Sequence, residues 1–303
     1  MMRGATHDRD VARPPRAGAG SRWWRAVRGR ASSLIAVAVV VIASLTVAAP
    51  ARAVDFEARS ETPIRAGSVI TFYGGSGSGF AHPVDHHCTA GPVLVARGII
   101  SNFTEYLRAV RYVTIPVHCG VQGQKAYAGD VEIGAVSWES PDADLAVVRV
   151  EPSAVRVSQC YHTSSGPRCT IVTHYTPRAV GEVFVAVNRR GQELPLRVAG
   201  AKVPSDREVF CSSGMVTGVK CTWTTTPEPP GWRPTGPHEL IARTSGGNVL
   251  NGDSGAPVVS QDAKIIGMVV GSGDDDGPYR TFMTYIPISY ILQERSAFAL
   301  ATS

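Results

Sequence analysis

The residues best suited to chemistry lie in Asn251-Gly252-Asp253-Ser254-Gly255-Ala256-Pro257, which runs into Val258 and Val259. A serine with glycine two places before it and directly after it suits a nucleophile in a tight turn. The small neighbours let a substrate carbonyl reach both the hydroxyl and the nearby backbone N–H groups. Ser254 is the candidate nucleophile. The N–H groups of Gly252 and Ser254 would face the developing oxyanion, where losing one donor typically costs ~10²- to 10³-fold in rate. Gly, Asp and Ser also favour ordinary β-turns, so this string needs partners before it signifies catalysis.

A serine nucleophile requires a general base, and the base requires an orienting acid. Among the 8 histidines, His118 stands directly after the apolar run Tyr112-Val113-Thr114-Ile115-Pro116-Val117 and beside Cys119, which a bridge would hold firmly. In Ser140-Pro141-Asp142-Ala143-Asp144-Leu145-Ala146-Val147-Val148, Asp144 sits where a polar turn becomes an apolar strand. A carboxylate there can be partly buried and still reach an imidazole. Asp142 reads as a solvated turn residue, although spacing alone does not fix which carboxylate points inward. His86 and His87 read as loop residues. No Cys-x-x-Cys pair accompanies them, so no metal site is expected.

Short β-runs must position these residues. Residues 68–73, 91–96, 112–117, 131–138, 145–150, 182–187, 265–270 and 280–286 are apolar or alternating, and turn residues separate them. Many short strands without long helical patterns predict an all-β sandwich or barrel. After Pro287, the apolar residues Ile288, Ile291, Leu292 and Phe298 predict one amphipathic helix. The Gly-rich residues 74–79 and the Pro-rich residues 227–237 read as surface loops.

The chain of 303 residues is 44% hydrophobic and 18% charged, which supports a sizeable core and argues against disorder. Its formal charge of +5 is misleading, because nine of the 30 Lys and Arg residues lie in residues 1–53. The remainder is slightly acidic, so no nucleic-acid-binding surface is implied. That basic leader, the apolar residues 34–49 and Ala51-Arg52-Ala53 form a signal-peptide pattern over 1–53. Secretion is expected, with an uncleaved envelope anchor as the alternative; after cleavage no membrane association is expected. All 6 cysteines follow the leader. An even count in an exported chain reads as disulfides. Local spacing favours Cys160 with Cys169 and Cys211 with Cys221, leaving Cys88 for Cys119.

The chain resembles the chymotrypsin-like serine proteases, particularly their secreted bacterial branch. Gly252-Asp253-Ser254-Gly255-Ala256-Pro257 matches that family's Gly-Asp-Ser-Gly-Gly-Pro motif apart from Ala256, and His118-Cys119 matches the end of its Thr-Ala-Ala-His-Cys motif. Asp144-Leu145-Ala146-Val147 resembles its Asp-x-Ala-Leu segment, and residues 211–221 resemble a disulfide loop of the bacterial branch. The order His118, Asp144, Ser254 is the chymotrypsin order, and no histidine follows Ser254. The resemblance implies two six-stranded antiparallel β-barrels, the first in residues 54–155 with His118 and Asp144, the second in 156–303 with Ser254. It also implies peptide-bond hydrolysis through an acyl-enzyme, with a polypeptide substrate, no cofactor and a monomeric chain.

The chain departs from the family pattern in several places. Val117 replaces an alanine before the histidine, Val270 stands where a serine is usual, and residues 99–111 form a longer connection. Ser212 stands where the bacterial branch often has an arginine to meet the aspartate before the nucleophile, here Asp253; Val54, if freed by signal peptidase, is a candidate partner instead. Counting from Ser254 places Asn248 near the base of the primary pocket, with Val270, Gly271 and Ser272 along its wall. Those residues imply a neutral substrate side chain. Asp274-Asp275-Asp276 reads as a solvated turn rather than a calcium cage. Val117 and Val270 motivate an alternative: a secreted binding protein on an impaired protease scaffold.

Overall fold

The computed structural model describes residues 54–75, 84–273 and 277–302. The leader and its cleavage pattern, part of the Gly-rich loop and Asp274-Asp275-Asp276 lie outside the described residues. Helix α1 (Phe56–Ser60) opens the described chain. Eight strands follow: β1 (Ile64–Ala66), β2 (Val69–Gly75), β3 (Val84–Thr89), β4 (Val93–Ala96), β5 (Arg111–Ile115), β6 (Lys125–Ala128), β7 (Val131–Glu139) and β8 (Ala146–Val150), with helix α2 (Glu105–Ala109) before β5. A long hairpin, β9 (Ser153–Thr163) and β10 (Gly166–Thr176), leads to β11 (Ala179–Val187), β12 (Glu193–Arg197) and β13 (Gly200–Ala201). The rest comprises β14 (Phe210–Gly214), β15 (Gly218–Thr225), β16 (Leu240–Thr244), β17 (Pro257–Val259), β18 (Lys264–Ser272), β19 (Phe282–Pro287), helix α3 (Ile288–Glu294) and β20 (Phe298–Leu300).

The fold is all-β, built on two antiparallel bodies. In the first, eight strands run in the order β20-β4-β5-β8-β7-β6-β2-β3 and roll around Ile70, Phe72, Val113, Ile115, Val136 and Val148. In the second, β18-β17-β14-β15-β16-β19 closes on itself because β18 also pairs with β19, giving a six-stranded barrel. Its interior is filled by Phe210, Trp223, Val258, Ile266, Met283 and Tyr285. A third cluster takes Leu94 and Leu145 from the first body and Met268, Ile286 and Ile291 from the second half, fastening the two together. Each fully buried aliphatic side chain contributes about 1.5–3 kcal/mol over leaving it in water.

Several elements differ from the sequence expectations. His86 and His87 belong to strand β3 rather than to a loop, and His87 Nδ1 lies 2.9 Å from Thr71 Oγ1 on neighbouring β2. The C-terminal helix is only seven residues long: Arg295 N–H closes its last turn on Ile291, and Phe298 enters β20, which pairs with β4. Phe298 follows β pairing rather than helical spacing because its ring stacks edgewise on Tyr112, 4.5 Å away, beside that sheet edge. Residue 155 falls within strand β9, and β1 pairs in parallel with β11.

Candidate active site

His118 is set by the end of β5. Pro116 cannot continue the β ladder, since it has no N–H to donate, and the chain tightens into a 3₁₀ turn over Val117–Cys119. Cys119 is bridged to Cys88 on β3, which fixes this turn against the neighbouring strand. Val117 packs on the first core. The imidazole itself remains 47% exposed and can meet a solvent-side partner.

Asp144 comes from the turn before β8. Ser140 Oγ accepts the N–H groups of Asp142 and Ala143, and Ser140 N–H bonds the Leu145 carbonyl, so the turn is internally tied. Leu145 is fully buried and anchors its end. Asp144 Oδ2 lies 2.5 Å from His118 Nδ1, and Oδ1 accepts the His118 backbone N–H at 3.1 Å. The carboxylate therefore grips the histidine at two points, fixing ring orientation and directing the Nδ1 proton toward itself. Asp142 is exposed, and among the described residues no hydrogen bond or ion pair joins it to His118.

The turn bearing Ser254 is organised by its neighbour Asp253. That carboxylate is fully buried; Oδ2 accepts Leu250 N–H at 3.0 Å, while Oδ1 accepts Val216 and Thr217 N–H at 2.9 and 3.1 Å. Hydrogen bonds to an ionised acceptor are about twice as strong as neutral ones, so three of them offset much of the desolvation cost. Asp253 is thus held by backbone N–H groups, and among the described residues no hydrogen bond joins it to Ser212 or, in the uncleaved chain, to Val54. Val54 lies beside Gly218, and Ser212 Oγ accepts Trp223 Nε1–H at 2.9 Å.

The first body also shapes the turn. Thr89 on β3 donates its N–H to the Ser254 carbonyl at 2.8 Å and its hydroxyl to the Gly252 carbonyl at 2.8 Å, and the same hydroxyl accepts Met215 N–H. Gly255 has φ +91°, and a Cβ there would fall 2.0 Å from the Thr89 carbonyl oxygen, so both space and backbone require glycine. The N–H groups of residues 250, 253, 255 and 256 are all bonded within the protein. Those of Gly252 and Ser254 have no protein acceptor among the described residues.

His118 and Ser254 line one cleft of about 190 Å³, together with Val249, Leu250, Asn251 and residues 269–272. Val270, Gly271 and Ser272 stand on its wall, but Asn248 does not: its Oδ1 accepts the adjacent Val249 N–H, and its carbonyl accepts Lys220 Nζ–H at 2.7 Å. Burial lowers the pKa of the Lys220 ammonium, with nearby Asp253 opposing the shift. Apart from His118, every side chain lining the cleft is neutral. Among the described residues no group of three or more His, Cys, Asp or Glu is placed to hold a metal ion.

The three disulfides join Cys88 to Cys119, Cys160 to Cys169 and Cys211 to Cys221. Sequence reading missed Thr89, whose partners lie more than a hundred residues away, and it missed Arg59. Arg59 is fully buried, bonded to Glu193 at 2.7 Å, to the Gly67 carbonyl and to Ser213 Oγ, while Glu193 accepts Val219 N–H. The pair thus braces the strands flanking the turn that holds Asp253. An arginine in a short N-terminal helix carries no local signal of such a role.

No protein-family model and no curated protein sequence matches the chain. Solved structures do match in chain path. Protease A of Thermobifida fusca is 18% identical, with 77% of this chain and 96% of that chain covered and a TM-score of 0.47. The Nocardiopsis protease is 20% identical, with 72% and 94% covered and a TM-score of 0.47. A glutamic acid-specific serine protease is 18% identical, with 78% and 100% covered and a TM-score of 0.49. Among the described residues no helix is long and apolar enough to cross a membrane.

Proposed function

We propose that the chain is a secreted serine endopeptidase that cleaves peptide bonds through an acyl-enzyme. The observation that carries this reading is the His118 Nδ1 contact with Asp144 Oδ2 at 2.5 Å beside the cleft that His118 shares with Ser254. With Nδ1 committed to Asp144, Nε2 is the nitrogen left to accept the Ser254 hydroxyl proton. Ser254 Oγ attacks the carbonyl carbon, and the oxyanion is met by the free N–H groups of Gly252 and Ser254. His118 then returns its proton to the departing amine as the C–N bond breaks. Water, deprotonated by the same imidazole, releases the acid. Asp144 orients the ring and stabilises its cation throughout. The neutral walls at Val270, Gly271 and Ser272 suit an uncharged side chain at the scissile residue. The three disulfides and the leader pattern support export.

A second reading, a secreted binding protein on an impaired scaffold, draws on one observation. Among the described residues no hydrogen bond joins Ser254 to His118. Catalytic hydrogen bonds are often long before substrate binds, so the enzyme reading is preferred. The test is hydrolysis of an unstructured protein substrate by purified chain and by Ser254→Ala. Turnover that disappears with the hydroxyl supports the endopeptidase; binding without turnover in the unmodified chain supports the scaffold reading.

A further inference from the structure

Ile99, Ile100, Phe103 and Ile171 are 81%, 76%, 72% and 71% exposed, and among the large apolar side chains of the described residues only Val203 is comparable. Single exposed apolar residues are ordinary, whereas a group of them marks a contact surface. The first three stand in the turn between β4 and α2, and Ile171 stands on β10, in a hairpin that pairs with no other strand among the described residues. The two elements meet at the base of the hairpin. Tyr106 on α2 packs edgewise on Tyr175 of β10, with ring centroids 5.3 Å apart, and Glu105 Oε1 accepts Tyr175 N–H at 3.0 Å. Side chains alternate across a strand, so Ile171 and, through its pairing with Thr173, Arg156 share the hairpin face of Tyr175. The turn packs on α2 and α2 on β10, which makes the turn and this face neighbours.

Charge is segregated in the same place. Residues 97–111 and 153–176 hold five arginines and one glutamate, while the rest of residues 54–303 holds 16 Lys and Arg against 22 Asp and Glu. That glutamate, Glu105, is engaged by Tyr175 N–H and lies 3.4 Å from His174 Nδ1. A chain that is acidic elsewhere thus gathers its cations around its most exposed apolar side chains. The turn is also closed on itself. Asn102 and Phe103 N–H groups bond the Ile99 and Ile100 carbonyls, Ser101 Oγ and Asn102 Nδ2 donate to the Gly98 carbonyl, and Arg108 Nη1 donates to the Asn102 carbonyl at 2.8 Å. Four of its carbonyls are therefore satisfied internally, which lowers the cost of carrying the turn into an apolar phase. An anionic bilayer matches both features, with an acyl boundary for the apolar tip and a negative headgroup layer for the arginines.

We propose that this surface docks the mature chain on an anionic lipid bilayer, with Ile99, Ile100 and Phe103 entering the boundary between headgroups and acyl chains and Arg97, Arg108 and Arg156 meeting lipid phosphates. The inference does not depend on the endopeptidase reading, and it departs from the expectation of no membrane association once the leader is removed. Attachment is peripheral and reversible, since what enters the bilayer is one turn and not a spanning helix.

The test uses residues 54–303, which lie within one compact unit that excludes the leader, carrying Ser254→Ala to prevent self-digestion. The protein is mixed with phosphatidylcholine vesicles, with or without about 30% phosphatidylglycerol, and bound protein is read by flotation. Binding is expected on the anionic vesicles, at least about tenfold weaker on the neutral ones, and weaker again as NaCl rises from about 0.05 to 0.5 M. Ile99→Ser, Ile100→Ser and Phe103→Ser together are expected to lower partitioning at least about tenfold. Arg97→Gln, Arg108→Gln and Arg156→Gln together are expected to remove the preference for anionic vesicles. All six positions are exposed, and thermal melts of both variants check folding. Absence of binding, equal binding to both kinds of vesicle, or binding unchanged in the serine variant overturns the proposal. Dimerisation in sedimentation velocity, abolished by the serine variant and unaccompanied by vesicle binding, would assign the surface to a second copy of the chain and likewise overturn it.

Discussion

Asp144 holds His118 with both carboxylate oxygens, one on the ring nitrogen and one on the backbone N–H. Because the backbone contact fixes where the histidine sits and the ring contact fixes how it faces, the two functions can be separated by mutation.

Asp144→Asn preserves size and can still bond the His118 backbone N–H, but its amide favours the wrong imidazole tautomer. Turnover is expected to fall by up to ~10⁴-fold, as the equivalent change does in a well-characterised triad enzyme. KM should change little, and kcat measured on a chromogenic peptide checks this. A loss below tenfold would show that Asp144 is only a structural brace.

The contact between Gly255 and Thr89 predicts a stability effect. Gly255→Ala must place a methyl 2.0 Å from a carbonyl oxygen at φ +91°. The backbone strain alone costs about 1–3 kcal/mol, and the clash adds to it. Denaturant titration should give a loss at least in that range, together with loss of activity, because the same turn carries Ser254.

The buried Arg59–Glu193 pair gives a distinctive double-mutant pattern. Arg59→Met leaves the Glu193 carboxylate, only 7% exposed at its side chain, without its partner, and should cost about 3–5 kcal/mol. Arg59→Met with Glu193→Gln should recover a large share of that loss. Urea unfolding of the four proteins in the cycle reads the coupling directly, and simple additivity would contradict a buried pair.

The disulfides separate structure from function. Cys88–Cys119 closes 31 residues and holds the turn of His118, so replacing both by alanine should cost about 3–4 kcal/mol and reduce kcat. Cys160–Cys169 joins an exposed hairpin across nine residues. Replacing it should cost about 2–3 kcal/mol and leave kcat unchanged. Thermal melts and kinetics on the two double variants provide the comparison.

The legible parts of the sequence were those where one local constraint dominates. Strands β5, β8 and β18 are buried along most of their length and show as near-continuous apolar runs, and the turns at His118 and Ser254 carry their own small or bulky neighbours. Strands β9 and β10 escaped notice because both faces of the hairpin are largely exposed, leaving no period-two apolar pattern to read. The anchor of Asp253 was not legible for a related reason. A search for a cationic partner looks to an arginine or a free amino terminus, whereas its three donors are backbone N–H groups, which every residue but proline possesses.

The central claim, that His118 activates Ser254, is tested most directly by intact-mass analysis after treatment with a fluorophosphonate. One adduct per chain is expected, located on Ser254 by peptide mapping, absent in Ser254→Ala and slowed at least a hundredfold in His118→Ala, the scale of general-base catalysis, ~10²- to 10⁴-fold. Labelling that proceeds at the same rate without His118, or that falls on another residue, would contradict it.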